Sequence, residues 1–313
     1  MNIFISDNDI RPHITVIIPV RNAEGMLLAC LQRVCAQTYR NYDVVVADNG
    51  STDRTSEIIN SASGQFGRIS KVYEPRPGRG YARNAAVRVA SGEIIAMIDA
   101  DCMVEPDWLA KISAPVRKGD ESVVMGTESD GSGTYWSRAM QRDIVKFQEK
   151  KSSLRKGYID QADTKNFAIR ASLMKRLMFD PDLITCEDWD LFLRLKKEGI
   201  AVRYLSEVTV EHLHDASLAS FMITMFERGY CTDRIVRKYE HDPILGPYLA
   251  SDKTAAARSF GRFFRHIPEV TRQFLSSPTD IPYLTAKYLA WLTGTLWSAR
   301  LGDTEMSISG APT

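Results

Sequence analysis

Charge of one sign is what this chain has least of: across 313 residues, 40 Lys and Arg face 39 Asp and Glu. That balance, with 44% apolar and 25% charged residues, excludes a disordered chain, collagen-like repeats and a strongly basic nucleic-acid binder. Long apolar runs are missing too. No 18 consecutive residues are uninterruptedly apolar, and the opening MNIFISDNDIRPH has neither a basic nor an apolar leader region, so neither a membrane span nor a signal peptide is expected. The five cysteines (Cys30, Cys35, Cys102, Cys186, Cys231) form no C-x-x-C pair, which suits reduced thiols in a cytoplasmic protein. Two phosphate-binding signatures are absent as well. There is no G-x-G-x-x-G after the first apolar run and no G-x-x-x-x-G-K-[ST] anywhere, against a dinucleotide-binding Rossmann domain and a P-loop NTPase.

What is present alternates. ITVIIPV (14–20), YDVVVAD (42–48), RISKVYE (68–74) and EIIAMIDA (93–100) read as buried parallel strands. Helical spacing separates them: Leu27, Leu28, Leu31 and Val34, then Ile58 and Ile59, then Tyr81, Ala85, Val89 and Ala90. Strand and helix in turn imply an α/β, doubly wound, Rossmann-like sheet, whose ligands lie at the carboxyl ends of the strands.

The residues at those ends therefore matter most. Asp99 and Asp101 stand two apart where the fourth strand ends; they suit a hard divalent cation on a diphosphate, or a solvated turn in which Asp101 caps the next helix. Asp48 closes the second strand and is aimed at a base or ribose, whereas Asp53 or Ser51 suits a helix cap. Arg83 begins a helix after Gly78-Arg79-Gly80, where it meets either a diphosphate or base, or a structural carboxylate. Glu187, Asp188 and Asp190 crowd the start of another helix, as dipole complements or with one serving as general base. His212 and His214 alternate along a strand and complete a cation shell, touch phosphate, or are ordinary surface or core histidines. GTESDGSGT (126–134) has a loop composition, either a closing lid or a plain connection.

In order, TVIIPVRNAEG, VVVADNGSTDRT, GRGYARNAAVRVASGEIIAMIDADC, NFAIR, CEDWDLFLRLKKEGI and VTVEHLH resemble the glycosyltransferase family 2 pattern on the GT-A fold, over roughly residues 12–216. The resemblance implies a nucleoside pocket lined by Pro19, Val20, Arg21, Asn22, Glu24 and Asp48, with Arg83 against base or diphosphate. It places Asp99 and Ala100 beside the ribose or sugar, Asp101 on the metal (Mn²⁺ or Mg²⁺), Asp188 as general base with Glu187 as neighbour, and His212 or His214 as a further metal contact. Arg21 departs from the aromatic or small residue common there. The Q-x-x-R-W element of processive synthases is missing, so transfer of a single sugar is expected; the resemblance implies a nucleotide sugar such as a UDP-sugar as donor, with in-line displacement inverting the anomeric carbon. The alternatives are a non-catalytic nucleotide-sugar-binding scaffold and a nucleotidyltransferase; the latter would want a Gly-rich basic loop where PVRNAEG stands.

Beyond Ser217 the chain turns helical, so residues 1–215 are read as the catalytic domain and 216–313 as a helical extension. Arg258, Arg262, Arg265 and Arg272 interleave with Phe260, Phe263, Phe264 and Phe274, and 281–300 carries two tryptophans among apolar residues. This suits an anionic membrane surface, hence a peripheral protein on the inner face of the cytoplasmic membrane with a lipid, lipid-linked or cell-envelope glycan acceptor; the other reading is a helical cap or homodimer contact.

Overall fold

The computed structural model describes residues 12–153, 156–213, 217–251, 271, 274 and 278–301. By internal contacts the chain divides into two compact units, Met1–Ala216 and Ser217–Thr313.

In the first unit, strands β1 (Ile14–Val20), β2 (Tyr42–Asp48), β3 (Ile69–Tyr73) and β4 (Ile94–Ile98) fall on the four apolar runs. Helices α1 (Leu27–Cys35), α2 (Thr55–Phe66) and α3 (Arg79–Val89) connect them. All pairings among these four strands are parallel. Nearly every β1, β2 and β4 side chain is buried, as a strand covered on both faces requires.

Strand β5 (Cys102–Met103), helix α4 (Trp108–Lys118), strand β6 (Val123–Asp130), helix α5 (Tyr135–Ser153), strands β7 (Tyr158–Ile159) and β8 (Asn166–Arg170), helices α6 (Ala171–Leu177) and α7 (Glu187–Lys197), and strand β9 (Val202–His212) complete the unit. The sheet order is β3-β2-β1-β4-β8-β6-β9-β5, with β7 also on β9. It is mostly parallel, as expected, but β8 enters antiparallel between β4 and β6. The strand order reverses at β1 and β4, and the crevice at their carboxyl ends collects the residues of interest.

One expectation is corrected here. Residues 126–130 of the supposed loop belong to β6, paired with β9 and, at its start, β8. The glycine that suggested flexibility is instead required by close packing: a Cβ on Gly126 would lie 2.4 Å from the Val208 carbonyl oxygen and 2.2 Å from Asn166 Nδ2. Asn166 fills its hydrogen bonds there, donating to the carbonyls of Thr127 (2.7 Å) and Val208 (2.8 Å) and accepting from the Trp108 indole (2.9 Å). Gly126→Ala is expected to lower stability by about 2–3 kcal/mol, because backbone and a saturated buried amide must both move. Thermal unfolding checks this; a midpoint within about 1 °C of wild type would show the contact can relax.

In the second unit, α8 (Leu218–Tyr239) packs on α10 (Ile281–Leu301), with α9 (Leu245–Ser251) beside α8. Gly229 faces the Trp291 carbonyl and Gly294 the Phe226 carbonyl so closely that added Cβ atoms would sit 2.0 Å from each oxygen. Ser298 donates to Asp233 (3.0 Å), which also pairs with Arg237 (2.6 Å). Thus 281–300 packs one face on α8, while Leu289, Leu296 and Trp297 stay exposed on the other. No helix among the described residues is long and apolar enough to cross a membrane. The arginines and phenylalanines of 254–273 singled out above lie outside the described residues.

Candidate active site

Three groups of side chains meet the carboxyl ends of the strands. The first binds two loops together. After β1, Asn22 takes φ 51°, and its side-chain oxygen accepts from Thr52 N (2.8 Å); Glu24 accepts from Arg54 N (3.0 Å), and Glu24 N donates to Asp53 (3.1 Å). Asp53 also accepts from Thr55 N (3.0 Å), but the N-cap position of α2 falls to Arg54 and carries no side-chain cap, so neither Asp53 nor Ser51 takes the capping role expected of them. Val20 holds the Asn49 amide through its carbonyl (2.8 Å), with Pro19 before it in β1, and Arg21 is exposed. Asp48 is buried, accepting from Ser51 N (3.0 Å) and lying 3.4 Å from Lys71. This carboxylate is already engaged within the protein.

The second group is built on Arg83. Buried in the first turns of α3, its guanidinium donates to Asp99 just past β4 (2.9 Å) and to Glu187 at the head of α7. Burial opposes its charge, but Asp99, Glu187 and Asp188 outweigh that and hold the guanidinium above its ordinary range. Arg83 thus ties the segment after β4 and the head of α7 to α3; its Nε, buried, makes no hydrogen bond. Cys186 precedes α7 with φ 62°, a left-handed conformation uncommon without glycine, which turns the chain so that Glu187 and Asp188 lie in the first turn. Asp188 accepts from Trp189 N (2.7 Å). Desolvation first, then repulsion from Glu187 and Asp163, push its carboxyl up to about 7 against the pull of Arg83 and Lys165.

The third group centres on His212. Strand β9 bulges between its pairings to Gly126 and Thr127, and the shifted register sets His212 opposite both Asp130 and Cys102. Its Nε2 lies 3.2 Å from Asp101, its Nδ1 2.7 Å from Glu128. Burial would lower the imidazole, but these two carboxylates raise it to about 9. Lys165 pairs with Asp163 and lies 3.4 Å from Glu128. Asp99 and Asp101 thus part company: β4 ends at Ile98, so strand alternation no longer governs them, and each finds its own cation. Ala100 between them is buried. Asp101 serves this contact and no helix cap. His214 lies outside the described residues.

The residues fit a divalent cation. A ligand pair at right angles on an ion about 2.1 Å away is about 3 Å apart, close to the Asp101–His212 separation. Glu128 on the far ring nitrogen supplies the carboxylate–histidine support usual at metal sites. Sequence reasoning missed Glu128, Lys165 and Asp163. Val123-Val124-Met125 running into Glu128 was the strand signal available for the first; a lysine ahead of NFAIR carries none.

These features describe a GT-A-type α/β protein with an acid-lined crevice at its switch point. The profile of Glycosyl transferase family 2 matches residues 15–179, more than half of the chain, and the chain belongs to that family. It is 32% identical over 129 residues to the glycosyltransferase GlyG of Streptococcus pneumoniae, covering 39% of this chain and 43% of that protein. The match thus spans less than half the length of that relative. A mannosyltransferase of Pyrobaculum calidifontis solved with GDP-Man and Mn²⁺ superposes with TM-score 0.68 at 19% identity, over 94% of this chain and 88% of that one. TarS 1-349 of S. aureus, solved with UDP-GlcNAc, gives 0.55 at 16% identity over 92% and 91%.

Proposed function

We propose that this protein is an inverting, divalent-metal-dependent glycosyltransferase that moves one sugar from a UDP-sugar to a hydroxyl of a lipid-linked or cell-envelope glycan. The observation carrying this reading is Arg83, which ties Asp99 at the end of β4 to Glu187 at the head of α7 and so gathers the Asp99–Asp101 segment and Asp188 at one crevice. Asp188 takes the proton of the acceptor hydroxyl, and the attack it aids comes from the side opposite the leaving group, inverting the anomeric carbon. Asp101 and His212 would hold the cation, which supplies neutralisation of charge on the departing diphosphate. Pro19 to Glu24 and Asp48 would border the nucleoside, and the Arg83–Glu187 pair fixes the base at the head of α7. Solved neighbours that hold GDP-Man with Mn²⁺ and UDP-GlcNAc support a nucleotide-sugar donor. The exposed Leu289, Leu296 and Trp297 support a membrane-surface acceptor, through residues 216–313 as a helical extension of a catalytic domain at 1–215.

The test is a panel of UDP- and GDP-sugars assayed by released nucleoside diphosphate, with total lipid extract as acceptor, with and without Mn²⁺ or Mg²⁺. Metal-dependent UDP release that requires the extract is expected. GDP release would move the donor assignment, metal-independent release the cation assignment, and no release across the panel would overturn the reading.

A further inference from the structure

Cys102 has no part in the reaction above, yet it stands against its metal pair. It faces His212 directly across the β5–β9 ladder, so the two side chains leave the sheet on the same side. Its Sγ lies 3.6 Å from Asp101 Oδ1, and Asp101, Cys102 and His212 each offer one donor atom within 4.8 Å of the other two. Cys102 is fully buried, and Glu128 fixes His212 from behind.

We propose that Asp101, Cys102 and His212 form a mixed oxygen, sulfur and nitrogen site for Zn²⁺, which binds there more tightly than Mn²⁺ or Mg²⁺ and displaces them. The inference rests on the reading that Asp101 and His212 hold a divalent cation, and adds to it the thiol and the identity of the preferred ion. Tetrahedral zinc, with bonds of about 2.3 Å to sulfur and about 2.0–2.1 Å to oxygen and nitrogen, keeps neighbouring donors about 3.3–3.6 Å apart. Cys102 meets Asp101 Oδ1 and His212 meets Asp101 Oδ2 at separations already of that scale, and since all three donors lie within 4.8 Å of one another, binding through one carboxylate oxygen asks each remaining separation to close by no more than about 1.5 Å. Chemistry then ranks the ions. Thiolate selects borderline-soft zinc over hard Mn²⁺ and Mg²⁺, and imidazole binds zinc more tightly than manganese. On binding, the Cys102 thiol and the imidazolium each release their proton to solvent, and the sulfur and nitrogen lone pairs take up the metal. Water or a diphosphate oxygen fills the fourth position.

The experiment uses the full chain without nucleotide. Co²⁺, as a coloured substitute for zinc, should give a near-ultraviolet thiolate-to-metal charge-transfer band at one equivalent, and Zn²⁺ should abolish it by displacement. Mn²⁺ binding is followed in parallel by electron paramagnetic resonance, with Zn²⁺ expected to compete at least about 100-fold more tightly. Cys102→Ser and Cys102→Ala should lose the band and weaken Zn²⁺ by about 100-fold, with Mn²⁺ affinity within about twofold of wild type. Cys30→Ala, at the neighbouring buried thiol, should keep the band. Mn²⁺ binding without a Co²⁺ band, or a band surviving both Cys102 variants, would overturn the inference while leaving the cation reading intact. A band with no Mn²⁺ binding would sustain the thiolate site and remove Mn²⁺ as an occupant of it. Circular dichroism on both Cys102 variants separates loss of ligand from loss of fold.

Discussion

Asp188→Asn is expected to lower turnover by about 10²–10⁴-fold, the usual worth of a general base, with the donor KM within about threefold of wild type. The amide keeps the hydrogen bond from Trp189 N but cannot take a proton. The wild-type enzyme should lose rate as pH falls through about 7, because the base works only when ionised and its carboxyl titrates there. Stability should move the opposite way. A carboxyl with its folded pKa raised holds protons that the unfolded chain has released, so between about pH 4 and about 7 stability falls as pH rises, and the penalty is complete above that window. The variant escapes the penalty and should melt higher than wild type at pH 8 by about 2–8 °C, with the gap closing near pH 4. Retained turnover would remove Asp188 as the base; lost turnover with a lower melting temperature at pH 8 would mean that the carboxylate is structural.

Much of the fold was readable because β1, β2 and β4 are buried on both faces, and burial on both faces writes itself as nearly unbroken Val and Ile, whereas β3 buries only Ile69. The ends of those strands were readable for the same reason, which brought Asp48, Asp99 and Asp101 into view. Composition misled at β6, whose Gly, Ser and Asp content suggests a loop. There the glycine marks backbone packed against Val208 and Asn166, and the acid pairs with an imidazole 84 residues away. Lys165 pairs with Asp163 two residues before it, but its approach to Glu128 on β6 is long-range and leaves no local mark. The insertion of β8 between β4 and β6 is likewise a property of long-range pairing. Arg83 was legible only as a cation badly placed at a helix start; that it balances Asp99 and Glu187 requires α7 to be in position.

Arg83→Ala is expected to cost about 3–5 kcal/mol of folding stability at pH 8, because it leaves Glu187 buried and uncompensated beside Asp188 and Asp99. The defect should shrink as pH falls, since protonation can neutralise the carboxylates left behind whereas the wild-type protein needs no such rescue. Urea unfolding between pH 5 and 8 reads this directly; a loss below about 1 kcal/mol, or one independent of pH, would mean that solvent already screens the pair. The same substitution removes one of the two cations that hold the Asp188 carboxyl down, so the acidic limb of any remaining activity should move to higher pH. Arg83→Lys tests geometry apart from charge: one ammonium cannot reach Asp99 and Glu187 through separate nitrogens as the guanidinium does, so only part of the stability should return. In Arg83→Met combined with Glu187→Gln, the buried charge and its partner leave together, and stability should recover to within about 1–2 kcal/mol of wild type. The acidic limb in that double variant follows the sum of two opposed changes, since Glu187 repels the ionised Asp188 while Arg83 attracts it. A limb that moved up in Arg83→Ala and back down in the double variant would place both groups within electrostatic reach of the catalytic carboxylate; a limb unmoved in either would leave Arg83 a purely structural tie between α3 and α7.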